Sequence, residues 1–319
     1  MSWQMRCWAW RLQGPLHVGY PPAGALNRAR LYVPARALWG AVTAELARRL
    51  AGRGNFPHYQ EVGEAVGKQI RFTYLYPAQR RERGWRLWLP TYRAGQGLSW
   101  MPRTFGRNEE RHEGDVGIPD RLFRRRLLHG RASTSVAPGS LAAEDGSLRE
   151  TECIQPFWAS DTPGEGPEPL FMAGTLFVHD DFAYTEALNN LQDLFIGGDT
   201  RYGLGHLQRA LWETDGHERG PGYAFAEDDE DTPVITLDPD MPVLGHASTE
   251  DIDSQVSGAQ ELVTSWDRRS QAGQRLFSDG GQAEPLWVPG SHLPNIREWT
   301  IRESGTWHSV HLKPEGTAP

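Results

Sequence analysis

Residues 182–212 read FAYTEALNNLQDLFIGGDTRYGLGHLQRALW, and the order of features in this stretch decides the fold. Phe182 to Phe195 reads as a helix, with Asp180-Asp181 before it as an N-cap. His206 to Trp212 reads as a strand. Between them lies Ile196-Gly197-Gly198-Asp199-Thr200-Arg201-Tyr202-Gly203-Leu204-Gly205. Glycines adopt positive φ and let a backbone approach a ligand closely, and exposed N–H groups in such a loop can bind phosphate. No Gly-Lys-Ser/Thr follows, so this is not a Walker loop. A dinucleotide fingerprint needs a strand before the glycines and a helix after, the reverse of the order here. Two readings stay open on the glycines alone: a tight helix-to-strand turn, or a loop against a ligand.

Working outward, Gln4 to Leu12 (QMRCWAWRL) reads as a first strand, broken by Gly14-Pro15. Ala37 to Leu50 follows Pro34 and places Leu38, Ala41, Val42 and Leu46 at helical spacing, ending at Gly52 and Gly54. Gln69 to Tyr76 and Gly84 to Pro90 read as strands joined by the polar break PAQRRER, a hairpin. Residues 92–165 fit no regular element and read as a long insertion, a segment type that is functional or disordered in most domains. Pro169 to Val178 reads as a further strand. Apart from the insertion and its extra strand, this is a βαββαβ order, an α+β, ferredoxin-like (RRM-like) fold. Two helices on one face of its sheet would leave the other face free for a ligand. The expected organisation is a domain at 1–219, with the insertion at about 92–165, and a smaller acidic domain at 220–319 that could repeat the ferredoxin-like fold.

The net charge of −8 hides a segregation. Residues 1–131 hold 23 Lys and Arg against 9 Asp and Glu, and residues 132–319 hold 10 against 32. Such asymmetry is a partner signal. Only Lys68 and Lys313 are lysines, and arginine's planar fork suits phosphate and stacks on bases. Cys7 and Cys153 are too few for a disulfide framework and read as reduced core thiols. No signal peptide and no apolar run of membrane length is visible, so a cytoplasmic protein away from membranes is expected.

Arg36 lies near the start of the first helix, where a guanidinium and open N–H groups together favour phosphate. A solvated surface arginine is the alternative. Arg121, Arg124, Arg125, Arg126 and Arg131 occur within eleven residues that contain no acid. On a helix Arg121, Arg124 and Arg125 would share a face, with Leu122, Phe123, Leu127 and Leu128 as apolar anchors. A charge run is commonly a solvated face, but five arginines without acids repel one another, and a polyanion relieves that. His308 and His311 could pair only weakly as metal ligands, and no third ligand is near in sequence, so no metal and no cofactor is expected.

The stretch IGGDTRYGLGHLQ (196–208) resembles the glycine-rich loop of the RAMP superfamily, the RNA-binding subunits of CRISPR–Cas effector complexes. LQGPLHVGY (12–20) is similar to that family's first strand and following turn. LYVPARALWGAVTAELARRL (31–50) resembles the approach to its first helix. HGRASTSVAPGSLAAEDGSLRETECI (129–154) resembles its Arg-led hairpin, or thumb, and the strand after it. The four segments follow the family's order, and the single-copy type III subunit that caps the guide's 5′ handle is the nearest in character. The resemblance implies a ferredoxin-like fold that holds CRISPR RNA by its backbone, with target RNA, other RAMP subunits and a large effector subunit as partners. It would bind through Arg36, Arg121, Arg124, Arg125, Arg126, Arg131, Gly197, Gly198, Thr200, Arg201, Tyr202, Gly203 and Gly205. A thumb built from about residues 131–150 would lie against the guide–target duplex. Target-cleaving relatives carry an Asp in the loop between first strand and first helix. Here that loop, Gly14 to Arg36, contains no Asp or Glu, which points to a non-catalytic subunit. Processing relatives use a His instead. His17 fits the strand-end position, and His112 sits among acids that would raise its pKa, though both are ordinary structural positions as well. A metal-independent RNase that matures the guide, and an assembly subunit with little RNA contact, are the rivals.

Overall fold

The first strand, β1 (Trp3–Leu12), alternates apolar and polar residues poorly, because nearly every one of its side chains is buried. A strand covered on both faces has no solvent side to keep polar. The computed structural model describes residues 2–82, 84–105, 116–159, 166–213, 219–227, 232–249, 256–265, 275–276 and 285–310. After β1 come β2 (Leu26–Asn27), α1 (Ala35–Ala51), α2 (Tyr59–Gln69), β3 (Ile70–Phe72), β4 (Tyr76–Arg81), β5 (Gly84–Arg93) and β6 (Gly97–Phe105). Next are β7 (Ile118–Pro119), α3 (Asp120–Leu127), β8 (Leu128–Ser133), β9 (Arg149–Ile154), β10 (Phe157–Trp158) and β11 (Glu168–Pro169). The N-terminal part closes with β12 (Phe171–His179), α4 (Thr185–Asn189), β13 (Asp193–Phe195) and β14 (His206–Glu213).

The protein is α+β, with mostly antiparallel sheets and few helices. Its larger sheet runs β13-β14-β1-β12-β4-β5-β6-β7, with β3 also paired to β12. The inner order β14-β1-β12-β4 is last, first, third and second of a βαββαβ trace, and each neighbouring pair is antiparallel. β5, β6 and β7 extend that sheet outward.

Several elements depart from expectation for identifiable reasons. The strand expected over Gln69–Tyr76 is two strands with a break at residues 73–75. There the chain crosses close over Gly174, where a Cβ would lie 2.4 Å from the Tyr74 carbonyl oxygen. Leu75 leaves β12 and exchanges hydrogen bonds with Val33 instead. Gln69 belongs to α2, a helix whose Gly63 and Gly67 weaken its local signal. The indole of Trp39 on α1 supplies the compensation, packing on Gly63 and donating Nε1–H to its carbonyl at 3.0 Å.

The helix expected over 182–195 is only the short α4, followed by β13. Arg209 donates to the Asn189 carbonyl at 2.5 Å and Arg49 to the Asn190 carbonyl at 3.0 Å, taking two acceptors a longer helix would need. The glycine loop therefore joins two strands of a hairpin rather than a helix and a strand. The break read as PAQRRER is largely strand, because β4 runs through Arg81 before the hairpin turns. The insertion expected to be irregular holds β6, α3 and the β8–β9 hairpin.

The second sheet face, expected to be free, is covered along much of its length. Residues 219–309 contribute an eight-stranded sheet of their own. Phe225 packs on Phe177 of β12 at 4.9 Å, the Tyr223 and Thr175 hydroxyls share a hydrogen bond, and the Tyr76 hydroxyl donates to the Leu244 carbonyl at 2.7 Å. Among the described residues of this C-terminal portion there are strands and no helix. Its core is aromatic, with Trp299, Trp307 and Tyr223 buried. Among the described residues, no helix is long and apolar enough to cross a membrane.

Candidate nucleic-acid interface

The sequence Arg149-Glu150-Thr151-Glu152 alternates, and in a strand that alternation sorts side chains onto two faces. β9 pairs antiparallel with β8, with Arg131 opposite Thr151 and Ser133 opposite Arg149. Arg131, Ser133, Arg149 and Thr151 thus share one face of the hairpin. Glu150 and Glu152 take the other, against the long loop after β1.

On that second face Glu152 ties three segments together. Its Oε2 accepts the Ala29 amide at 2.9 Å and the Arg124 guanidinium at 3.2 Å, and its backbone carbonyl meets His17 Nδ1 at 2.7 Å. Arg124 also donates to the Ala29 carbonyl at 3.0 Å. Arg124 is therefore bound into the scaffold, where the shared helix face had suggested an outward contact. Arg121 and Arg125 are exposed on α3, whose Phe123 and Leu127 are fully buried anchors, whereas Leu122 is exposed. Arg126 lies 5.8 Å from the Trp158 ring centroid.

The glycine loop meets the first face of the hairpin. Much of its glycine content is explained by its own chain. At Gly197, φ is +88° and a Cβ would lie 2.2 Å from the His17 carbonyl oxygen; at Gly205, φ is +74° and a Cβ would lie 2.0 Å from the Ile196 oxygen. The N–H groups of Ile196, Gly198, Tyr202, Gly203, Leu204 and Gly205 are bonded to carbonyls of this chain. Among the described residues this leaves Gly197, Asp199, Thr200 and Arg201 as the loop residues whose N–H is not bonded to a backbone carbonyl. Tyr202, at the end of the turn Thr200–Tyr202, is 71 % exposed.

Thumb and loop enclose a cleft of about 250 Å³. Arg131, Arg149, Ser133, Thr134 and Ser147 line it from the hairpin, and Asp199, Tyr202 and Leu204 from the loop. The Arg149 guanidinium pairs with the Asp199 carboxylate across it. Two guanidinium groups, several hydroxyls and an exposed phenol ring suit an anionic chain with flat bases. Burial pushes the Cys153 thiol up, against the pull of nearby Arg131, so it stays protonated beneath this wall.

Of the residues named from sequence, Arg131 and Tyr202 line this cleft, Thr200, Arg201 and Gly203 adjoin Tyr202 in the chain, and Gly197, Gly198 and Gly205 pack at the base of the loop against His17 and Ile196. Arg36 does not line it; its guanidinium stacks on Trp39, 4.0 Å from the ring centroid. His17 lies beneath the loop, held at Nδ1 by Glu152, with its ring edge against Gly198. His112 falls outside the described residues. Sequence reading missed Arg149 and Asp199. The alternation at 149–152 could have flagged the first. Nothing local flags the second, since its partner lies 50 residues away.

No family model matches this sequence, and no curated protein matches it. Among solved structures, a chain of the cryo-EM structure of the type III-B Cmr-beta bound to cognate target RNA and AMPPnP is similar at 10 % identity and TM-score 0.47, covering 90 % of this chain and 84 % of that one. A chain of the Cmr-beta bound to cognate target RNA gives 11 %, 0.46, 90 % and 85 %. One from the apo state gives 12 % and 0.37, covering 66 % of this chain and 98 % of that one.

Proposed function

We propose that this chain is a non-catalytic, RNA-binding RAMP-type subunit of a type III-like RNA-guided effector complex. The observation that carries the reading is the cleft where the thumb hairpin meets the glycine loop, with Arg131 and Arg149 on one wall and exposed Tyr202 on the other. The two segments that resemble the RAMP thumb and loop are the two that form it. Guide RNA would lie along the cleft by its phosphates, and exposed Arg121 and Arg125 of α3 would offer further phosphate contacts outside it. Target RNA would be read by pairing with the guide, not by this protein. The acidic portion at 220–319 would serve as a separate domain facing other RAMP subunits and a large effector subunit. The absence of any carboxylate between Gly14 and Arg36 supports holding RNA rather than cutting it, as does a His17 fixed to the Glu152 carbonyl.

The test is fluorescence anisotropy with labelled single-stranded RNA at several salt concentrations. Each arginine–phosphate contact contributes a slope of roughly −0.7 to the log–log salt dependence on a single strand. Arg131→Ala and Arg149→Ala are each expected to weaken binding and flatten the slope by about that amount. Wild-type protein whose RNA affinity is weak and independent of salt contradicts the proposal and supports the assembly role.

A further inference from the structure

Phe195 closes β13 and His206 opens β14, so the two residues form the last rung before the glycine loop. Their side chains point away from the buried rung of Leu194 and Leu207 beside them. The rings stack, with centroids 4.8 Å apart and planes 11° apart. His206 is held in place by Asp193, with Nε2 and Oδ1 2.8 Å apart. Phe195 nevertheless remains 47 % exposed. On the same side of the sheet, the Gln13 amide donates to Gln208 at 3.0 Å, and exposed Arg11 lies opposite Gln208.

An apolar ring on an edge hairpin is normally shielded or replaced by a charge. This one is fixed flat from behind and left open. A ring already held in one orientation loses little freedom when a second flat group stacks on it. The position also has a defined neighbour: Phe195 and His206 stand at the two stems of the loop that forms one wall of the arginine-lined cleft.

We infer that Phe195, backed by His206, is a stacking platform for one unpaired nucleobase of an RNA strand whose phosphates lie in the adjacent cleft. The inference rests on the RNA-binding reading above and adds to it a base-contacting site outside the cleft. Stacking has little base selectivity, because every base has a π face. Gln13, Gln208 and Arg11 offer hydrogen-bonding groups beside the platform. His206 and Asp193 act as positioning residues.

The experiment uses full-length protein and a mixed-sequence single-stranded RNA carrying 2-aminopurine at one position, moved along the strand in a series of probes. One probe position is expected to change emission on binding to wild type and not on binding to Phe195→Ala. Phe195→Ala should lose about 5- to 150-fold in affinity. Phe195→Trp should retain binding, and Phe195→Leu, apolar but without a π face, should behave like the alanine variant. An abasic site at the responsive position should make RNA binding insensitive to all three changes. Thermal unfolding of each variant separates a folding defect from a binding one. Phe195→Ala binding RNA as wild type does, while Arg131→Ala weakens it, overturns the platform and leaves the cleft standing. Phe195→Leu matching wild type overturns it too, and marks the ring as an apolar contact of the kind a protein partner makes. Wild type that binds no RNA overturns both readings.

Discussion

Arg149 of the thumb strand and Asp199 of the glycine loop pair across the mouth of the cleft, joining two segments 50 residues apart in sequence. Asp199 is an anion already seated on an arginine that the proposed RNA phosphate would use. The pair is partly solvent-exposed, with side-chain exposures of 48 % and 24 %, so its own strength is limited, within about 1 kcal/mol. Asp199→Asn is therefore expected to tighten RNA binding by up to about fivefold. Titration of the variant beside wild type at low salt checks this. Weaker binding by the variant would assign Asp199 to organising the loop instead.

Arg124 has a different fate. Its bonds to Glu152 and to the Ala29 carbonyl make it a strut between α3, β9 and the loop after β1. Arg124→Ala should lower stability by about 1–3 kcal/mol, through the two lost charge-assisted hydrogen bonds. It should leave the salt slope of RNA binding nearly unchanged, whereas Arg125→Ala should flatten it. Urea unfolding and anisotropy on the same two variants separate these roles, and a flattened slope for Arg124→Ala would return that residue to the RNA.

The two portions of the chain are joined by a buried polar chain. Arg30 Nη1 lies 2.5 Å from Glu261 Oε1, His246 Nε2 lies 2.5 Å from the same oxygen, and the Tyr74 hydroxyl meets His246 Nδ1. The geometry fits a neutral imidazole that donates from Nε2 to the carboxylate and accepts from Tyr74. Burial pushes the His246 pKa down, and the Glu261 contact only partly opposes it. Burial alone would raise Glu261, but hydrogen bonds from His246 and Arg30 outweigh that and hold it below its ordinary value. Both groups thus favour their deprotonated forms in the folded state. Their stabilisation is complete above an unfolded histidine pKa of about 6.5. It should fall with pH, first through His246, then through Glu261 below about 4.3. Unfolding midpoints between pH 8 and pH 4 should show this loss, and Glu261→Gln, which removes the contact opposing burial at His246, should steepen its histidine part. Arg30→Ala, which leaves a buried carboxylate without its cation, should cost about 3–5 kcal/mol at neutral pH. A wild-type midpoint independent of pH would contradict the coupling.

His17 is held at Nδ1 by the Glu152 carbonyl, with its ring edge against Gly198 of the loop, and the proposed function gives it no proton to move. Incubating the protein with a repeat RNA in the absence of metal should give no cleavage above background. Cleavage that His17→Ala or His112→Ala abolishes would establish the processing-nuclease alternative.

Most of what was legible in the sequence was local. Leu38, Val42 and Leu46 recur at helical spacing and all are buried on α1. The glycine loop announces itself in the same way, since turns and breaks are read within a few residues, whereas the arginine-led hairpin was expected only from the resemblance. The misreadings share a non-local cause. Gly63 and Gly67 argue against a helix until Trp39 is known to pack there. Residues 69–76 look like one strand until Gly174 is known to lie beneath them. Leu188, Leu191 and Leu194 keep a helix-compatible spacing, yet Arg49 and Arg209 take the carbonyls that would continue the helix. At the candidate site, Arg124 looked like its neighbours because its partner Glu152 lies 28 residues away. The covered sheet face was illegible for the same reason, because the contact of Phe225 on Phe177 spans two separate sheets.

The salt dependence of RNA affinity for wild type, Arg131→Ala, Arg149→Ala and the double variant tests the central claim most directly. A steep wild-type slope is expected, reduced by roughly 0.7 in each single variant and by about twice that in the double variant. Four parallel slopes, or a wild-type affinity that salt does not change, would contradict a cleft that holds RNA by its phosphates.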